Sequence, residues 1–304
     1  MKKRINITTY RWFALMICIS IASGLFQACD KIDGPYLVKV ESSDTLSCPP
    51  PEFPNVIDDT KRVLLEDYTG HTCVNCPSAA IIARNLKAQY GDKLVVMAVH
   101  AGGFAQPQSN TVFTYNFLTA AGTAWDTKFG ISKIGNPNGM VNRRKINNTV
   151  VLGTSAWSGA VAEMTAEAAL LDVKIINEYS SGENKLCTHI QTKFLQAIDK
   201  NLKLIVALTE DSIVAPQKNL NSEIGPVPVI TNYVHMHVLR GAITSTMGTP
   251  ISSIGVENST PVVKSYRYTI KDNWVPKNCR VVAFVYDADT DEVLQAAEAA
   301  VISE

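Results

Sequence analysis

Two cysteines separated by two residues, Cys73-Val74-Asn75-Cys76, constrain this chain more than any other feature. A strand-like run, Arg62 to Tyr68, precedes them, and a helix-like run, Ser78 to Tyr90, follows. A C-x-x-C where a strand turns into a helix is a redox-type arrangement. With Pro77 opening the helix, Cys73 falls just before the N-terminus and Cys76 in the first turn. The partial positive charge and free N–H groups there stabilise a thiolate. Cys73 is the expected attacking thiolate and the more exposed of the two. Cys76 is expected to resolve the mixed disulfide. An inert structural disulfide is the rival reading. Half of a zinc site is a poor one, because no second C-x-x-C or H-x-x-x-H occurs. No metal or other cofactor is expected.

Two further residues resemble features of thioredoxins. Asp67, six residues before Cys73, stands near the place of the buried carboxylate that assists proton transfer there, and Glu66 is an alternative. Pro137, after Gly135-Asn136, looks like that superfamily's cis-proline, whose surroundings bind extended substrate chain. The sequence departs from that pattern in having Thr72 where a Trp precedes the first cysteine, and Val74-Asn75 between the two. His71 is placed to stabilise the thiolate or to be an ordinary loop residue. His235 and His237 are expected on one face of one strand, a polar face rather than a metal site in the absence of a visible third ligand.

The chain begins with Lys2, Lys3, Arg4 and Arg11, then an apolar stretch, Trp12 to Phe26, too short for a comfortable membrane span. Leu25-Phe26-Gln27-Ala28-Cys29 resembles the lipobox of bacterial lipoproteins, implying lipid on Cys29 and cleavage before it; an ordinary signal peptide is the alternative. Loss of residues 1–28 removes four basic residues and no acidic one, taking the formal charge from 0 to −4. That offers nothing to a polyanion, so no nucleic-acid partner is expected. Export also permits disulfides. Cys48, Cys73, Cys76, Cys187 and Cys279 remain, an odd number. Cys48 is either a stray thiol or a partner for Cys187 or Cys279, and those two are also candidates for an inter-strand pair.

Four segments follow: a signal peptide over 1–28, a flexible proline-rich tether over 29–60, an α/β domain over 61–169 and a β-sandwich over 170–304. In the α/β part, Lys93–His100 reads as a central parallel strand, Val112–Ala121 and Ala124–Phe129 as helices, and Ser155–Ala169 as a helix packing one face. Beyond it, Leu170–Tyr179, Lys185–Leu195, Asn201–Leu208, Asn232–Gly241, Pro261–Ile270 and Arg280–Tyr286 read as strands. Val293–Ile302 is a seventh candidate, its alanines fitting a helix equally.

Taken together, Leu65-Glu66-Asp67-Tyr68-Thr69-Gly70-His71-Thr72-Cys73, Gly135-Asn136-Pro137-Asn138-Gly139 and His235-Met236-His237-Val238-Leu239-Arg240 resemble outer-membrane lipoproteins related to the twenty-eight-kilodalton outer-membrane protein of Bacteroides-type bacteria. The resemblance implies a thioredoxin-like domain followed by an immunoglobulin-like one, and a lipid anchor in the outer membrane on its periplasmic or surface-exposed face. It also implies an adhesin or receptor role. Two functions follow as expectations. One is thiol–disulfide exchange with protein thiols or disulfides through Cys73, Cys76, Asp67 and Pro137. The other is non-enzymatic binding of a surface ligand on an inherited scaffold.

Overall fold

The computed structural model describes residues 47–255 and 260–303. The signal segment and Cys29 lie outside the described residues. The first strand, β1 (Val63–Thr69), has all seven residues buried, as does β2 (Leu94–His100), the apolar run beside it. They pair in parallel through the crossover helix α1 (Cys76–Tyr90). Gly91 stops that helix at a positive φ of 54°. α2 (Ala120–Phe129) starts on Thr119, whose hydroxyl accepts from the Gly122 N–H, and ends at Gly130 in the left-handed region. A single turn, α3 (Ile131–Ile134), leads to β3 (Asn138–Val141), antiparallel to β1. α4 (Thr154–Thr165) completes the helices.

The remaining strands are β4 (Leu171–Ser180), β5 (Lys185–Phe194), β6 (Ile198–Glu210), β7 (Ile213–Lys218), β8 (Val229–His235), β9 (Val238–Ala242), β10 (Thr249–Gly255), β11 (Val262–Thr269), β12 (Cys279–Asp287) and β13 (Val293–Ala300). An eight-stranded mixed sheet runs β13-β12-β6-β9-β2-β1-β3, with β10 pairing along the first half of β6. It therefore draws strands from both sides of residue 170. A three-stranded antiparallel sheet, β11-β5-β4, and the β7-β8 hairpin complete the fold.

Strand alternation separates the cores. Leu64 and Tyr68, Val95 and Met97, Ile205, Phe284 and Val293 share one face of the large sheet, closed over by Trp125 of α2. On the opposite face, Val63, Leu65 and Val96 pack against α1 and α4 through Ala83, Leu86, Trp157 and Val161. Farther along, Leu204, Val206, Val281 and Val285 meet Leu171, Leu186, Ile190 and Phe194 of the three-stranded sheet. The two ends of the large sheet curl together. The Val293 N–H donates to the Asn142 carbonyl at 2.8 Å, and the Arg62 N–H to Gln295 Oε1.

Several expectations change. The end of the expected tether packs onto the fold. Cys48 is 1% exposed and bonded to Cys187 of β5, the Asp58 N–H donates to Asp172, and Lys174 holds the Pro54 and Val56 carbonyls. A proline-rich composition does not keep a segment free when a disulfide fixes it. Cys279 is therefore a free thiol, pushed up to about 12 by burial. Within Val112–Ala121, residues 112–119 are not helical: Phe113, Tyr115 and Phe117 turn inward at every second residue, with Phe113 and Phe117 buried against histidine rings. Of the two readings of the alanine-rich 293–300 segment, the strand holds, with Val293 and Ala296 filling the core beside β12. β7 and β10 were not expected from the sequence.

Candidate functional site

The loop from β1 to α1 carries the cysteines, and they form a disulfide. The Cys73 N–H donates to the Gly70 carbonyl, and Cys76 opens α1 with Pro77 behind it. Gly70 is required by a close approach: a Cβ there would stand 2.5 Å from the Phe104 carbonyl carbon and oxygen. The same Phe104 carbonyl accepts from the Thr72 N–H and hydroxyl, pinning this loop to the segment after β2.

Both cysteines are 2% exposed, so Cys73 is no more accessible than Cys76, contrary to the sequence expectation. The cover comes from the second half of the chain. Gln217 at the end of β7 donates through Nε2 to the Cys73 carbonyl at 2.9 Å and the Gly70 carbonyl at 3.3 Å. The Lys218 N–H donates to the His71 carbonyl and the Leu220 N–H to the Val74 carbonyl. An extended strap, residues 217–220, thus lies along the cysteine loop, bonded main chain to main chain.

Asp67 and Glu66 point to opposite faces. Glu66 lies with Leu64 and Tyr68 and forms a buried bidentate pair with Arg143, at 2.7 and 2.8 Å. The rings of Trp125, Phe129, Phe284 and Tyr286 surround that guanidinium at 5.0–5.9 Å. Asp67 is 3% exposed, and its Oδ1 has no hydrogen-bond partner. Burial pushes its pKa up to about 7.

Asp67 and Cys76 line one cavity of about 170 Å³, between α1 and β8. His100 and His235 line it too, and His100 (both ring nitrogens) and His235 (Nε2) are without partners. Burial lowers both imidazoles, His235 to about 3, so they are neutral at physiological pH. Phe117 wedges among them, stacked on His100 at 4.2 Å and 4.6 Å from His235. His71 sits on its edge, with Nε2 2.9 Å from the Gln106 carbonyl oxygen. His235 and His237 do not share a strand face. β8 ends at His235, and His237 occupies the turn into β9 with φ 55° and Asp211 at 3.3 Å. Among the described residues no group of three His, Cys, Asp or Glu is placed to hold a metal ion.

The Asn136–Pro137 peptide is cis, and Pro137 leads into β3 where Asn138 pairs with Tyr68. The Asn136 amide lies near the Thr69 and Ala101 carbonyls, at 3.3 and 3.5 Å. Pro137 therefore borders the strand end from which the cysteine loop departs. Gln217, His100 and Tyr233 were missed in the sequence. Each stands far along the chain from the cysteines, and only the sheet order brings them together.

Residues 123–304 match the family model described as outer membrane protein Omp28. The matched segment begins after both C-x-x-C cysteines and Asp67 and contains the whole strap. No curated protein matches the chain. Among solved structures, HBP35 of Porphyromonas gingivalis is similar at 17% identity and a TM-score of 0.55, over 81% of this chain and 76% of that one. A crystallised protein of Agrobacterium tumefaciens is similar at 12% identity and a TM-score of 0.51, over 81% and 97%. A domain of the outer membrane lipoprotein Omp28 from Porphyromonas gingivalis aligns at 22% identity and a TM-score of 0.29, over 43% and 86%. Among the described residues no helix is long and apolar enough to cross a membrane.

Proposed function

The chain belongs to the family of outer membrane protein Omp28, and from that premise we propose that it is a lipid-anchored outer-membrane protein whose Cys73–Cys76 pair exchanges disulfides with other thiols. Lipid on Cys29 supplies the anchor in this reading. The thioredoxin-like reading of 61–169 and the immunoglobulin-like reading of 170–304 belong to the same proposal. The β1-α1-β2 crossover with antiparallel β3 supports the first, and the three-stranded sheet packed on β6 and β12 supports the second.

One observation carries the redox reading: Asp67, buried and unpartnered, lines the same cavity as Cys76. Opening a disulfide requires a thiol to lose a proton and a thiolate to gain one. A carboxyl with a pKa of about 7 can hold that proton near neutrality. The N-terminus of the 15-residue α1 stabilises the sulfur anion. A substrate-holding role for Pro137 completes the proposal. Equilibrating the folded protein in thiol–disulfide buffers tests it. The pair should titrate in the oxidoreductase range, roughly −270 to −120 mV. A pair that stays oxidised below about −300 mV would be a structural clip.

The burial of both cysteines under the strap favours a second reading, in which the disulfide braces a non-enzymatic receptor for a surface ligand. Replacing both cysteines by serine would then leave ligand binding intact.

A further inference from the structure

Access to the disulfide is asymmetric. On the loop side, the His71, Cys73 and Val74 carbonyls are each occupied by the strap, through Lys218, Gln217 and Leu220. A polypeptide pairing along this loop would find those main-chain groups taken. On the other side the cavity between α1 and β8 reaches Cys76 and not Cys73. Its rim is exposed at Arg84, Val234 and Met236, and its floor is buried at Asp67, His100 and His235.

Size and chemistry then limit what can enter. The cavity of about 170 Å³ is smaller than the range of roughly 300–1,000 Å³ that holds drug-sized ligands. Its floor holds unpaired acceptors, Asp67 Oδ1 and one nitrogen on each of two neutral imidazoles, beside the single N–H that the neutral His100 ring carries. Its walls at Ala80, Ile81 and Ala98 are apolar. A compact molecule with N–H donors, a short apolar stem and a thiol matches each of these.

We propose that the exchange partner of this site is a low-molecular-weight aminothiol, admitted through the α1–β8 cavity and reacting at Cys76. This rests on the disulfide-exchange reading above and names its substrate class. The entering thiol passes its proton to the Asp67 carboxylate, and its sulfur attacks Cys76 Sγ. The Cys73–Cys76 bond breaks, and the Cys73 sulfur leaves with the electron pair and takes up a proton. The products are a Cys76 mixed disulfide and a Cys73 thiol. A second aminothiol then attacks the mixed disulfide at its own kind, releasing a small disulfide and Cys76 as thiol. Two aminothiols are oxidised and one protein disulfide is reduced; the reverse reaction oxidises the dithiol.

The test follows opening of Cys73–Cys76 in the folded full-length protein by acid quench, alkylation and mass spectrometry. Cysteamine and glutathione are compared at equal thiolate concentration, beside a reduced dithiol protein. Cysteamine should react about tenfold faster than glutathione, beyond what thiol basicity gives. Ala80→Trp, which fills the cavity from α1, should abolish that advantage. Asn85→Trp, on exposed α1 surface away from the cavity, should preserve it. Equal rates for the two small thiols, or an Ala80→Trp variant that keeps the advantage, overturns the proposal. Rapid opening by the dithiol protein with slow opening by cysteamine overturns it too, while leaving disulfide exchange intact. Resistance to all three reductants overturns both.

Discussion

Glu66 and Asp67 are neighbours of the same chemistry, and strand alternation gives them unrelated fates. Glu66 meets Arg143 inside the curled sheet, and Asp67 meets no partner beside Cys76. Removing one member of the buried pair strands a charge. Arg143→Met alone should cost about 3–5 kcal/mol in denaturant unfolding, and Glu66→Met with Arg143→Met should recover most of it. A double variant as unstable as the single one would mean that ring packing around the guanidinium, not charge, is what the pair supplies.

Asp67 leads to a prediction in pH. Its folded pKa of about 7 lies above the unfolded 3.8, so the folded state holds the proton more tightly. That advantage is intact below about pH 4 and is lost as pH rises through about 7. Asp67→Asn should therefore gain stability relative to the parent as pH rises from 4 to 8, by up to about 4 kcal/mol. His100, His235 and Tyr233 face the same space and titrate in both proteins, so their contributions largely cancel in the difference. Thermal melts of the two proteins across that range check it; a pH-independent gap would place Asp67 in contact with water or a cation.

At the scale of elements, the β7-β8 hairpin and its continuation decide how the site is used. Gln217 is the side chain that joins the strap to the cysteine loop, with Nε2 within 3.3 Å of three carbonyls. Gln217→Ala removes those three bonds while the Gly70 and Cys73 carbonyls keep the Cys73 and Cys76 N–H groups, so the cost is about 0.5–1.5 kcal/mol. Amide hydrogen exchange at Lys218 and Leu220 should accelerate accordingly, while exchange at Val95 and Val96 in β2 stays slow. Equal protection in the variant would show that the backbone bonds hold the strap unaided. This hairpin is also where the sequence was least readable. β1, α1 and β2 were legible because their apolar runs and the helix-opening proline are local signals. Ile213–Lys218 contains a proline, Pro216, and alternates only weakly, and nothing local ties it to Cys73. Asn232–Gly241 read as one strand because its apolar alternation runs on through the turn at His237. In the same way, the alanines of 293–300 carry a helical preference that pairing with β12 overrides.

For the whole molecule, the strand order matters more than the sequence division near residue 170. The cysteine-bearing segment and the β-rich segment contribute to one apolar face, from Leu64 to Phe284. The Cys48–Cys187 bond spans 139 residues and joins the start of the described chain to the three-stranded sheet. Replacing both by serine should lower stability by about 2–5 kcal/mol and open residues 49–60 to proteolysis. Unchanged stability would assign the hold on this segment to Lys174 and Asp172. Selective reduction distinguishes the two disulfides, since Cys73–Cys76 closes three residues and its loss releases little chain entropy.

In the proposed form with lipid on Cys29, Cys48 also sets how far the protein can stand from a bilayer. With lipid on Cys29, nineteen chain steps lead to Cys48 and thirty-four to Val63. A fully extended chain then spans at most about 65 Å to the first of these and roughly 115 Å to the second. Closing the Cys48–Cys187 bond therefore nearly halves the maximum reach, and any pull on the anchor enters the fold at β5 rather than at β1. An oxidising exterior shortens the leash and sends the load away from the strand that carries the cysteine loop.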